Sequence, residues 1–356
     1  MLTGRSELPS GFDPNKPRPQ DYPSIAAMAN RYLKGTGPLP PSMVLPEKII
    51  HRTGRTLPGQ FSGLLGERWE PFFLDCSKYN AASYGAYPDY LFHHAKGKVD
   101  GSNKKFIEPE LSLPEGVNLD RLKDRLGIAN YLDSQQKYFD NEVGVREFDR
   151  YSDMAVSLLS DPKTKSAFNV HGVDPKVQEK YGRNVFGWSL LMARQLVEAG
   201  VNLVQVNLGN NEAWDTHQAG FPCLKNYLLP PTDRALSALL DDLYDRGMLD
   251  DTLVVMASEF GRTPKIFKIP KAKLPGRDHW GPVQTVLFAG GGVNGGAVVG
   301  SSDSNGGYPE SDPHSPEDFS ATIYNALGIP QNANWQDLTG RPHPIYHGSP
   351  ISKLFS

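Results

Sequence analysis

Phe186-Gly187-Trp188-Ser189-Leu190-Leu191-Met192-Ala193-Arg194-Gln195-Leu196-Val197-Glu198-Ala199-Gly200, followed at once by Val201-Asn202-Leu203-Val204-Gln205-Val206-Asn207-Leu208, is the stretch from which the fold is read. Its first part carries apolar residues at helical spacing and stops at a glycine, the residue that most easily closes a helix in the left-handed conformation. The second part is rich in valine and leucine, as a strand should be. Downstream the alternation continues. A loop bears Asp215 and His217, and a helix from about Pro231 to Gly247 then sets Leu236, Leu239, Leu240 and Leu243 on one face. Thr252–Ala257 is a near-continuous apolar run, the pattern of a strand buried on both faces, and Val283–Ala289 repeats it. Ser315 before Pro316-Glu317-Asp318 marks the start of a last helix that runs to Leu327. Together these elements predict an α/β fold. Strands near 201–208, 252–258 and 283–289 should be neighbours in one mainly parallel sheet with helices on both faces.

Upstream of that core the pattern changes. Residues 1–110 are rich in proline and glycine and read as loops, apart from a helix over Ser24–Leu33 with Ser24 as its N-cap. Residues 118–180 form a helical insertion, with Leu122, Leu126, Leu132 and Phe139 on one segment and Met154, Leu158 and Leu159 on the next. The α/β core covers 186–330 and a C-terminal tail covers 331–356, all within a single domain.

Composition excludes several classes. Charged residues make up 22% of the 356-residue chain and the net charge is −3, so no basic surface invites nucleic acid or an anionic membrane. No apolar run reaches the roughly 18 residues of a membrane span. Two cysteines, Cys76 and Cys223, cannot build a disulfide framework.

Chemistry concentrates in the loops after the strands. Asp215, His217, Glu259, Asp278 and His279 combine imidazoles and carboxylates on three such loops. In open α/β sheets the site lies beyond the carboxyl ends of the strands, where these three clusters would converge. The mixture suits zinc or manganese, and its carboxylates would also accept magnesium or calcium. Arg262, three residues after Glu259, could grip an oxyanion in bidentate fashion. The plainer reading stays open: Asp215 caps a turn, His217 packs beside Trp214, and Glu259 pairs with Arg262 in solvent. Gly290, Gly292 and Gly295 satisfy the dinucleotide spacing, but they lead into Ala297-Val298-Val299-Gly300, which reads as strand and not helix, so that reading is rejected. His93, His94, His171, His314 and His343 lack partners at ligand spacing and read as surface or core histidines.

Taken in order, Tyr181-Gly182-Arg183-Asn184-Val185-Phe186-Gly187, Val197-Glu198-Ala199-Gly200-Val201, Trp214-Asp215-Thr216-His217, Ser258-Glu259-Phe260-Gly261-Arg262-Thr263-Pro264, Gly276-Arg277-Asp278-His279-Trp280 and Ser315-Pro316-Glu317-Asp318 resemble a bacterial family called domain of unknown function 1501. The resemblance covers residues 1 to about 330 and extends to the alkaline phosphatase and sulfatase superfamily. It implies a three-layer α/β/α sandwich around a mainly parallel sheet, and a metal-dependent hydrolase of sulfate or phosphate esters. By position Asp215 and His217 resemble first-metal ligands, His279 the late histidine of that site, and Glu259 the aspartate of an Asp-His pair. Phe260 departs from the histidine of that pair and so from a standard second metal site. Leu2-Thr3-Gly4-Arg5 is similar to the segment that follows a sulfatase nucleophile. The expectation is therefore an N-terminally truncated chain, its nucleophile and first strand upstream of Met1, inactive as an esterase by itself, with relatives that are often exported. The competing class is a degenerate fold-mate that binds an anionic ligand or glycan without turnover. A phosphosugar mutase is a third possibility that no residue favours. Substrate, metal and oligomeric state are not legible.

Overall fold

The computed structural model describes residues 1–109, 161–209 and 212–355. The first helix, α1 (Ile25–Tyr32), begins where expected because the Ser24 side chain accepts a hydrogen bond from the Ala27 N–H. Ten residues on comes a strand that the sequence reading missed, β1 (Ser42–Leu45), in which Met43, Val44 and Leu45 are fully buried. It forms the middle of a parallel three-stranded sheet, with β2 (Phe72–Phe73) on one side and β6 (Leu203–Val206) on the other. Ser42 to Leu45 pair in register with Leu203 to Val206.

The region 61–110 is less irregular than expected. It holds an antiparallel meander of β3 (Tyr84–Ala86), β4 (Tyr90–His93) and β5 (Gly97–Lys98). Of the helical insertion expected over 118–180, residues 118–160 lie outside the described residues. Its last part is two short helices, α2 (Pro162–Phe168) and α3 (Pro175–Tyr181), each with an aspartate N-cap and a proline in its first turn. Next comes α4 (Val185–Glu198), capped by Asn184, whose side chain accepts from the N–H groups of Phe186 and Gly187. Gly187 must lack a side chain, since a Cβ there would stand 1.9 Å from the Gly182 carbonyl oxygen. Gly200 adopts φ +96°, closes the helix and turns the chain into β6.

Helix α5 (Leu229–Asp245) packs against α3 and α4 and buries Ala235, Ala238, Leu239 and Leu243. Beyond it the expected topology needs correcting. β7 (Val254–Met256) does pair with β10 (Leu287–Ala289), but antiparallel, and this pair forms no ladder with β6. An apolar run announces burial and not direction, so the parallel assignment had no residue behind it. Nor is β7 buried on both faces, since Met256 is 43% exposed. Between these strands lies a two-residue ribbon, β8 (Gly261–Arg262) with β9 (His279–Trp280). Ala297–Gly300, expected as strand, forms none, and Val298 stands 91% exposed. Next are β11 (Ser301–Ser302) and β12 (Pro309–Ser311), then α6 (Pro316–Ala326), which opens on a reciprocal capping box between Ser315 and Asp318. The supposed tail contains the hairpin β13 (Asn334–Gln336) and β14 (Pro342–Pro344), whose Trp335 is fully buried against α1 and α6 residues.

The described residues therefore show a mixed α/β fold of small sheets, one of them parallel. A larger core joins β1, the meander and α2 to α5; a second joins α1, α6 and the last hairpin.

Candidate metal centre

The loop after β6 is tightly wound before it offers any ligand. Trp214 Nε1 donates to the Leu208 carbonyl at 2.7 Å, and the N–H groups of Asp215, Thr216 and His217 donate to Glu212, Trp214 and Asp215 carbonyls. Glu212 takes a left-handed φ of +57° and pairs with His51 and Arg52 on the neighbouring segment. Gly276 lies hard against this loop. A Cβ there would stand 2.3 Å from the carbonyl groups of Thr216 and His217.

The β8–β9 ribbon supplies the other side. Arg262 and His279 are cross-strand partners, so both side chains leave the ribbon together towards Asp215. Asp215 Oδ1 is the hub: His217 Nδ1 is 2.9 Å away, His279 Nε2 2.8 Å and Arg262 Nη1 3.0 Å. Behind His217, Asp278 Oδ1 meets the second ring nitrogen, Nε2, at 3.0 Å and accepts the His279 N–H at 2.7 Å. The two imidazoles are 4.7 Å apart, and Phe260 lies 4.2 Å from the His279 ring.

Charge follows from these contacts. Burial alone would push the Asp215 carboxyl up, but the hydrogen bond with His279 and the charges of His217 and Arg262 outweigh it and hold the pKa below its usual value. Asp278 is also held low, first by the backbone N–H of His279 and then by the hydrogen bond with His217. The centre therefore keeps two carboxylates ionised.

Asp215, His217 and His279 each offer a donor atom, all within 4.8 Å of one another, in an arrangement that could hold a metal ion. Two imidazole nitrogens and one carboxylate oxygen are a donor set that fits a divalent cation and leaves further positions open. Of the five residues expected to bind metal, these three come together. Asp278 stands one step back, in the place of a carboxylate that orients a ligating histidine. Glu259 is not in the group; its charge acts on the amino group of Met1. Arg262, expected to meet a substrate oxyanion, donates to Asp215, to the Trp214 carbonyl at 2.7 Å and to the Arg277 carbonyl at 3.3 Å.

The matching family model spans residues 1–355 and describes a protein of unknown function, DUF1501. The chain belongs to the DUF1501 family. Comparison with curated proteins and with solved structures finds no match. Among the described residues no helix is long and apolar enough to cross a membrane.

Within this family member one neighbour of the centre escaped the sequence reading. His94 packs edge-on against Tyr84 at 4.4 Å and stacks on Phe92, and its Nε2 is buried with no hydrogen-bond partner among the described residues. The charges of Asp215, His217 and Arg262 all act on it, while burial lowers its pKa to about 4. No spacing rule could have found it, because more than a hundred residues separate it from Asp215.

Proposed function

We propose that this chain is a metal-dependent hydrolase of anionic esters, of the sulfate or phosphate type, in which Asp215, His217 and His279 hold the cation. The observation that carries the reading is the convergence of their three donor atoms from the loop after β6 and from the β8–β9 ribbon. The donor mixture favours zinc or manganese over calcium or magnesium, which prefer oxygen shells. The ester class rests on the resemblance to the alkaline phosphatase and sulfatase superfamily. A cation bound there would polarise the ester oxygen as a Lewis acid. The protein's own part is positional. Asp278 orients His217 through Nε2, and Arg262 fixes the Asp215 carboxylate and ties it to the backbone of its loop.

One observation favours a second reading, a fold-mate that binds an anionic glycan or other anionic ligand without turnover. Phe260 lies against His279 where the superfamily has a histidine, so an apolar ring occupies the edge of the centre. Elemental analysis of purified protein, with His217→Ala, His279→Ala and His93→Ala beside it, tests the metal. About one zinc or manganese per chain is expected in the unmodified protein and in the His93 variant, with sharp loss in the other two. Absence of metal from the unmodified protein would reject the proposal. Hydrolysis of an aryl sulfate and an aryl phosphate, with and without chelator, then separates the two readings. Metal without turnover selects the binding function.

A further inference from the structure

A second cleft lies between the segment after β2 and the segment after β5. It has a volume of about 330 Å³ and is lined by Lys78, Tyr79, Asn80, Asn103, Lys104 and Lys105, over Tyr87 and Ile107. Three of these residues are cationic and none is a carboxylate. An adjoining recess of about 40 Å³ shares Lys78, Tyr79 and Lys104 with it and reaches Asn207 and Gly209 just past β6; among its described lining residues the acidic one is Glu47, buried to 8% exposure. We propose that this lysine-lined cleft is a binding site for a small, hydroxyl-bearing oxyanion, such as the phosphate or sulfate ester of a single sugar.

Lys104 carries the argument. Its ammonium is half-buried, donates to the Ser83 hydroxyl at 2.9 Å and lies 5.8 Å from the centre of the Tyr87 ring. A half-buried ammonium beside two more lysines, with Glu47 as the acidic charge that acts on it, leaves this lining net positive and able to take further negative charge. Its pKa is lowered by burial and only partly restored by Glu47, which agrees with a cation short of counter-charge. Size agrees too, because sites for small molecules start near 300 Å³. The hydroxyl-bearing part of the ligand follows from the rest of the lining: the Asn103 amide, and the phenol oxygens of Tyr79 and Tyr87, which donate to the His51 and Lys105 carbonyls and can accept from a polyol, with one apolar side chain, Ile107. The cleft is also joined to the candidate metal centre. Tyr79 in its wall donates to the His51 carbonyl at 2.6 Å, and His51 pairs with Glu212 on the loop that carries Asp215.

Nothing in this inference depends on the metal reading, and the test keeps the two apart. Calorimetric titration of the chain with glucose 6-sulfate, glucose 6-phosphate and plain glucose is performed in excess chelator. Both esters should bind, the phosphate more tightly because of its greater charge, and glucose should not. Affinity should fall as salt rises, as screening of exposed charge requires. Lys104→Met keeps the apolar stem and should weaken the esters by about ten- to a hundredfold, the usual effect of losing one charged hydrogen bond. Lys268→Gln, exposed and outside the cleft, should change nothing. Should Lys104→Met fail to fold, the exposed pair Lys78→Gln with Lys105→Gln decides in its place. Equal binding of glucose and its esters, unaltered affinity in the cleft variants, or binding that vanishes with the metal would overturn the proposal.

Discussion

Removal of the Asp242 carboxylate should unfasten α5 from α4, and the structure sets the size of the effect. Arg194 lies in the middle of α4 and is only 4% exposed. Its Nε donates to Asp242 Oδ2 at 2.9 Å, the Tyr181 hydroxyl donates to the same oxygen at 2.9 Å, and Arg246 Nε donates to Oδ1 at 2.7 Å. Glu198 assists at the other end of the Arg194 guanidinium but is nearly half exposed. Asp242→Ala leaves a buried guanidinium with one solvated partner and a buried phenol with none. Breaking a buried ion pair costs about 3–5 kcal/mol. Glu198 remains and Asp242 is itself slightly exposed, so the lower end, about 3 kcal/mol, is expected. Asp242→Asn keeps a neutral acceptor and should cost about half as much, the ratio between charged and neutral hydrogen bonds. At roughly 2 cal/mol/K per residue, an unfolding entropy near 0.75 kcal/mol/K for 356 residues turns 3 kcal/mol into a fall in midpoint of about 4 °C.

Acid supplies a second readout of the same seam. Burial tends to raise the Asp242 carboxyl, but the hydrogen bond from Arg246 and the charge of Arg194 prevail and hold its pKa below the usual value. A carboxyl depressed in the folded state contributes its full stability above the unfolded value near ~3.9 and loses it as pH falls through the lower folded value. The gap between the parent and Asp242→Asn in urea unfolding should thus be constant above about pH 5 and close below about pH 4. An Asp242→Ala variant that loses less than about 1 kcal/mol at neutral pH would refute the argument, since the buried guanidinium would then have found other solvation.

Other perturbations read the centre itself. Asp278→Asn should retain metal at full stoichiometry but bind it about 10–100-fold more weakly in a chelator competition, as expected of a carboxylate that orients a ligating histidine. Gly276→Ala should cost more than any exposed glycine substitution and should abolish metal binding, because its Cβ would displace the Thr216–His217 backbone; a metal titration of the folded variant checks this. His94→Phe preserves the ring packing on Tyr84 and Phe92 and removes a buried, unpartnered nitrogen, so its thermal midpoint should equal or exceed that of the parent in the absence of ligand.

What the sequence revealed and what it hid divide along physical lines. Helices α1, α4, α5 and α6 were legible because capping residues, glycine stops and apolar faces are local signals, all within one or two turns. Asp215, His217 and His279 were legible as candidates because each stands in a polar stretch close to an apolar run, although His279 proves to lie in the short strand β9. β1 was not, since Ser42-Met43-Val44-Leu45 is too short for periodicity and lies between prolines; its identity comes from pairing with β6, some 160 residues on. The meander failed to register for the same reason, its strands being two to four residues long. Strand direction was misjudged for β7 and β10 because a buried run reads alike in either sense.

Phe260 shows how the two kinds of information combine. By sequence it is an apolar residue set between Glu259 and Gly261-Arg262 in a polar loop, with nothing to say what it packs on. In the structure its ring lies 4.2 Å from His279 and 5.8 Å from the Arg262 guanidinium, so it packs on one residue that offers a donor atom and beside another that holds Asp215. An apolar ring there lowers the local dielectric constant and strengthens the contact between Asp215 and the Arg262 guanidinium. Phe260→His would add a nitrogen at that edge but would remove part of this shelter. If Phe260 supports a single-metal centre, the substitution should weaken the first cation and leave the stoichiometry near one. If it merely blocks a second position, zinc per chain should rise towards two with the first cation undisturbed. Metal counting against graded chelator concentrations separates these outcomes, and a rise to two would mean that this position alone had kept the second cation out.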